Sequence, residues 1–168
     1  MTNPPNPLVA GFTSLYDLMV WVGNRLQPYL LWLIRWVWGI QLMQAGVGKL
    51  FNIETPIGYF TQLGIPFPVE NAWLVALTET FGGLFLALGL LSRLTCIPLT
   101  INFIVAYLTT EQDGLKDLLS FDTGKFTADA AFPFLATALV VLVFGPGEFS
   151  LDYLITRWRK REWHGPGI

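Results

Sequence analysis

NAWLVALTETFGGLFLALGLL, residues 71–91, is the stretch whose reading decides the fold. It is long enough to cross a hydrocarbon core, for which about 20 residues suffice. It carries one carboxylate, Glu79, and no basic residue. On a helical period Glu79, Gly83, Leu86 and Leu90 share a face, with Gly82 and Gly89 along its edge. An ionisable side chain at that depth is costly in lipid, so it is normally turned inward and paired. The stretch therefore predicts a membrane helix with one polar spot facing the interior of a bundle.

Composition agrees. The 168 residues are 53% apolar and 13% charged, against roughly 25% charged in an ordinary soluble domain. A formal net charge of −2 gives no electrostatic case for binding nucleic acid. Cys96 is the only cysteine, which excludes an intrachain disulfide, a dithiol pair and a cysteine-rich metal site.

Three further apolar runs flank the first. Pro28 to Phe51 and Leu94 to Thr110 are each taken as a span, and Ala130 to Phe144 as a shorter fourth, bounded by Asp129 and the turn at Gly145–Gly147. The expectation is an all-α membrane protein, a four-transmembrane-helix bundle with an amphipathic N-terminal helix. That helix is placed over residues 12–27, where Leu15, Leu18, Met19 and Val22 form a stripe and Pro28 closes it. Residues 1–11, rich in Pro and Asn, read as a disordered lead without a signal peptide. A short helix is expected near Ile57–Leu63, and an acidic solvent-facing loop over 111–129, with an amphipathic segment at Leu115–Leu119. Three regions follow: a lead and interfacial helix over 1–28, a membrane domain over 29–147, and a basic, aromatic tail over 148–168. The cluster Arg157, Arg159, Lys160 and Arg161, with Arg25 and Arg93, places both termini in the cytosol by the excess of cations on that side. The cluster also offers a contact for anionic lipid.

Charge at depth supplies the candidate site. Arg35, Gly39, Leu42, Gly46 and Lys49 recur at spacings of four, three, four and three, so both cations and both glycines fall on one face. Counting from the span ends puts Arg35 roughly 10 Å deep from one side and Glu79 about 12 Å deep from the other. The favoured arrangement is a network of Arg35, Glu79 and Asn102 with Lys49 at its outer mouth. Such a centre admits a purely stabilising ion pair, a cavity for a head group, thiol or quinone, or a proton or solute path. Asp17, Asp152 and His164 are too scattered to act as a nucleophile and base, so nothing supports hydrolysis.

The motifs also coincide with a family. GVGKL at 46–50, LGIPFP at 63–68, ETFGGLFLALGLLSR at 79–93 and the closing GPGEFSLD at 145–152 resemble the DoxX family of small prokaryotic integral membrane proteins. The resemblance implies a four-helix bundle in the bacterial cytoplasmic membrane, with recurrent polar positions at Arg35, Lys49, Glu79 and Arg93. It also implies association with membrane oxidoreductase assemblies and thiol or sulfur stress, some relatives being quinone-linked subunits. Two functions remain open on that basis. One is a membrane subunit of a redox complex, binding a quinone or docking a partner oxidoreductase, with Arg35, Lys49, Glu79 and Asn102 as the cofactor-binding set and no metal. The other is a non-catalytic structural or assembly subunit. The segment before Tyr29 and the 111–129 loop look like departures from the minimal family form that could dock other membrane proteins.

Overall fold

The structure is a computed structural model and describes residues 7–109 and 123–163. All regular elements there are helices: α1 (Pro7–Phe51), α2 (Glu54–Gln62), α3 (Pro68–Leu88), α4 (Ser92–Thr109), α5 (Gly124–Ala128), α6 (Phe132–Phe144) and α7 (Leu151–Trp163). In the bundle α1 lies mainly along α3, α3 along α4, α4 along α6, and α6 returns to α1. Between α1 and α3 the backbones touch because side chains are missing. A Cβ on Gly46 would strike Ala76 and Thr80, and one on Gly83 would strike Gly39 and Met43. Small residues at these positions let two helices approach to backbone contact, the main packing device available where water does not drive association.

The core lies on the α4 side of that seam. Leu42, Leu86, Cys96, Leu99, Phe103, Tyr107, Leu135, Ala138 and Val141 are buried together. Phe134 links three helices here, stacking on Phe103 with ring centroids 5.6 Å apart and meeting Trp38 edge-on at 5.7 Å. Outward from this core, Trp73, Leu74, Leu77 and Phe81 on α3 and Leu94, Ile97, Ile101, Ile104 and Leu108 on α4 are exposed. So extended an apolar surface is one that lipid covers and water does not.

Four spans were expected, and the structure corrects the count to two. Among the described residues only α3 and α4 are long and apolar enough to cross a membrane. α6 has 13 residues, about 20 Å of helix against a hydrocarbon core of about 30 Å. α1 is long enough at 45 residues, but Arg25, Gln27, Arg35, Gln41, Gln44 and Lys49 interrupt its apolar character throughout. The separate amphipathic N-terminal helix is corrected as well: α1 begins at Pro7 and runs through Pro28 without a break. Proline removes one helical hydrogen bond, to the carbonyl of Asn24. Asn24 is exposed, so the lost bond is not sealed in a dry interior, and the helix continues at modest cost. α2 begins three residues earlier than the segment foreseen at Ile57. Leu115–Leu119 and His164 lie outside the described residues.

Candidate functional site

Side-chain slant decides which charges meet. Each Cα–Cβ bond of a helix tilts toward that helix's N-terminus, and long side chains follow it. α1 and α3 run antiparallel, as the pairing of Gly39 with Ala87 and Gly46 with Ala76 requires. Lys49, near the end of α1, therefore slants back into the bundle, while Glu79 slants toward the start of α3, the level at which Lys49 arrives. Lys49 Nζ bonds both carboxylate oxygens of Glu79, at 2.6 and 2.5 Å. The Glu79 side chain is 6% exposed and that of Lys49 35%.

The same tilt carries Arg35 the other way. It lies about 21 Å from Lys49 along α1 and slants away from Glu79. The expected network of Arg35 with Glu79 does not form. Arg35, wholly buried, donates from Nε to the Leu31 carbonyl at 3.2 Å and from Nη2 to the Phe149 carbonyl at 2.5 Å. Its Nη1 sits over Gly89, where a Cβ would collide with it. Gly89 also has φ +68°, a conformation that closes α3 through Gly89 N–H to Leu86 and Leu90 N–H to Phe85.

Around Arg35 the closing segment of the chain is folded back on the α3–α4 turn. The Asp152 carboxylate accepts the N–H groups of Leu91 and Ser92, each at 2.7 Å, and the Asp152 N–H donates to Gly89 at 3.0 Å. It thus caps the first turn of α4 from 60 residues away. Leu91 has φ +46°, unfavourable for a branched side chain, and the carboxylate holds it there. Ser150 Oγ accepts the Tyr153 N–H at 3.1 Å and caps α7. Arg93 reaches the last turn of α6, its Nη2 donating to Val143 at 3.4 Å. Sequence reasoning sets Asp152 aside as too far from Asp17 and His164 to act with them. Ser150 is legible as a Ser standing just before a helical stretch, but a cap supplied from a distant segment leaves no local signal.

At the other end a cavity of about 720 Å³ opens beside the Lys49–Glu79 pair. Lys49, Glu79 and Asn102 all line it, and Arg35 does not. Its walls are otherwise largely apolar: Leu42 from α1, Tyr59 and Phe60 from α2, Phe103 from α4 and Phe134 from α6. Asn71 and Asp129 add polar atoms, and both are engaged locally, Asn71 with the Pro66 carbonyl at 2.7 Å and Asp129 with the Ala131 N–H at 2.6 Å. α2 was foreseen only as part of a connection, and it supplies one wall. The arrangement can hold a mainly apolar molecule with a polar head set against a donor, Lys49, and an acceptor, Glu79.

The DoxX family model matches residues 30–112, about half of the chain, and the chain belongs to the DoxX family of membrane proteins. The match includes Arg35, Lys49, Glu79 and Asn102 and stops before α5, so Phe149 and Asp152 lie beyond it. Over 130 residues the chain is 29% identical to the uncharacterized membrane protein Rv3486 of Mycobacterium tuberculosis, covering 74% of this chain and 80% of that protein. No solved structure matches the chain.

Proposed function

We propose that this protein is a membrane subunit of a redox-associated complex whose cavity receives the head group of a quinone. The observation that carries the reading is the cavity itself: about 720 Å³, largely apolar, with one buried carboxylate held by one ammonium at its wall. That volume lies within the range of roughly 300–1,000 Å³ usual for small-molecule sites. A quinone would bring carbonyl oxygens that accept from Lys49 and Asn102, and its hydroxyl form would donate to Glu79. Bound there, it would supply the electron exchange for which none of the lining side chains is suited. Electrons would pass between the quinone and a partner oxidoreductase, for which the exposed part of α1 before Tyr29 offers a surface with Leu15, Met19, Trp21 and Leu26 outward. In this reading the protein sits in the cytoplasmic membrane with both termini, Arg25, Arg93 and α7 on the cytosolic side.

One observation favours the other reading, a structural or assembly subunit. Both Glu79 oxygens are already engaged by Lys49, and a pair so placed fixes α1 against α3 with no ligand. Purification from native membranes in mild detergent, followed by solvent extraction and chromatography, separates the two. Quinone should co-purify in near-stoichiometric amount and fall several-fold in Glu79→Gln and Asn102→Leu. Quinone no higher than in a detergent blank, with both variants merely less stable, would leave the structural reading standing.

A further inference from the structure

α7 has a face that nothing among the described residues covers. Leu151, Leu154, Ile155 and Trp158 follow one another at the i, i+3, i+4, i+7 spacing of an apolar helical stripe. All four are exposed, Trp158 by 73%. Arg157 and Arg159 are exposed beside this stripe, and the sequence continues with Lys160 and Arg161. The position of the helix is fixed from its start. Ser150 caps it, the Asp152 carboxylate holds Leu91 and Ser92, and Arg35 holds Phe149. Leu88 and Ser92 are the ends of the two helices able to cross a membrane, so the first turn of α7 is tied to the level at which both leave the hydrocarbon. A helix that starts at this boundary, apolar on one face and cationic beside it, meets a lipid surface before it meets anything else.

We infer that α7 is an interfacial anchor for anionic phospholipid, its Leu151–Leu154–Ile155–Trp158 face seated among the upper acyl chains and its basic residues on headgroup phosphates. Charge complementarity selects the occupant. Each cation near an anionic leaflet is drawn to its negative surface potential, whereas a zwitterionic surface offers no such field. Arginine stems can lie along the apolar boundary while the guanidinium groups reach phosphate. The anchor is independent of what fills the cavity at the other end.

Spin labels on the full chain in lipid nanodiscs test this. One label is placed through Ile155→Cys, on the apolar face, and one through Thr156→Cys, on the opposite side. The unsubstituted chain, whose Cys96 is wholly buried, is the labelling blank. In nanodiscs containing phosphatidylglycerol the label at 155 should be several-fold less accessible than the label at 156 to a water-soluble relaxation agent. The contrast should shrink in pure phosphatidylcholine, and also when Arg157, Arg159, Lys160 and Arg161 are all changed to Gln. Equal accessibility of the two labels in anionic nanodiscs would overturn the docking. A contrast that ignores both lipid charge and the Gln substitutions would overturn the recognition of anionic headgroups.

Discussion

Arg35 and Lys49 occupy the same face of α1, yet their surroundings differ in kind. Arg35 is wholly buried and answered by backbone carbonyls from its own helix and from Phe149. Lys49 is answered by a carboxylate and keeps about a third of its side chain open, beside a cavity. A cation sealed against carbonyls and packed over a glycine has no room to change partners. A cation facing a void with its counterion can share that counterion with a ligand. On the proposed reading, the Arg35 end is architecture and the Lys49 end is where a ligand sits.

Gly89→Ala is the substitution expected to do most damage, and it lies at the architectural end. It adds a Cβ where Arg35 and Ser150 already sit and imposes a positive φ on a residue with a side chain. Strain of about 1–2 kcal/mol and overpacking of about 1–3 kcal/mol should lower the thermal midpoint in detergent sharply. A midpoint close to wild type would mean that the Arg35 end is not rigid. Asp152→Ala comes next. It removes two hydrogen bonds to the α4 start, about 1 kcal/mol each, so thermal stability should fall while the amount of co-purifying quinone stays unchanged. Asp152→Asn, which keeps one acceptor, should fall about half as far.

Glu79→Gln should have a smaller effect on stability. Breaking a fully buried pair costs about 3–5 kcal/mol, but the exposure of Lys49 reduces this to roughly 1 kcal/mol by solvent screening. The contrast is sharpest in a paired measurement: Glu79→Gln should change what co-purifies more than it changes the midpoint, and Asp152→Ala the reverse. The same ordering in both assays would erase the distinction between the two ends. Lys49→Arg should be the mildest change, retaining the ion pair while altering the shape of the cavity wall.

Much of the scaffold is legible in the residues. The 71–91 run, the short turn at Ser92 and the helical spacing of Gly39 and Gly46 specify α3, its hairpin with α4 and the close seam with α1. The number of spans is not legible from apolar length alone: Arg35, Gln41, Gln44 and Lys49 lower the apolar character of α1, and a 13-residue helix is too short to cross. Lys49, Glu79 and Asn102 line one cavity, a nearness to which residue type and depth both point. Arg35 was assigned to the wrong partner because depth was counted at Cα, and the opposite slants of antiparallel helices move two long side chains by more than a turn. Asp152 escaped notice for a different reason: its partners are two main-chain groups, which have no identity in a sequence.

The cap that Asp152 places on α4 has a consequence for the order in which the molecule can be completed. During synthesis the α3–α4 hairpin emerges about 60 residues ahead of the carboxylate that satisfies its turn. Until then Leu91 and Ser92 lack their acceptor and Arg35 lacks the Phe149 carbonyl. A nascent chain stopped before Phe149 would therefore carry the mark of an unfinished protein, a cation and two unanswered amides at one spot. Arrival of the FSLD segment, residues 149–152, erases that mark in a single step and makes the last part of the chain the seal on the first.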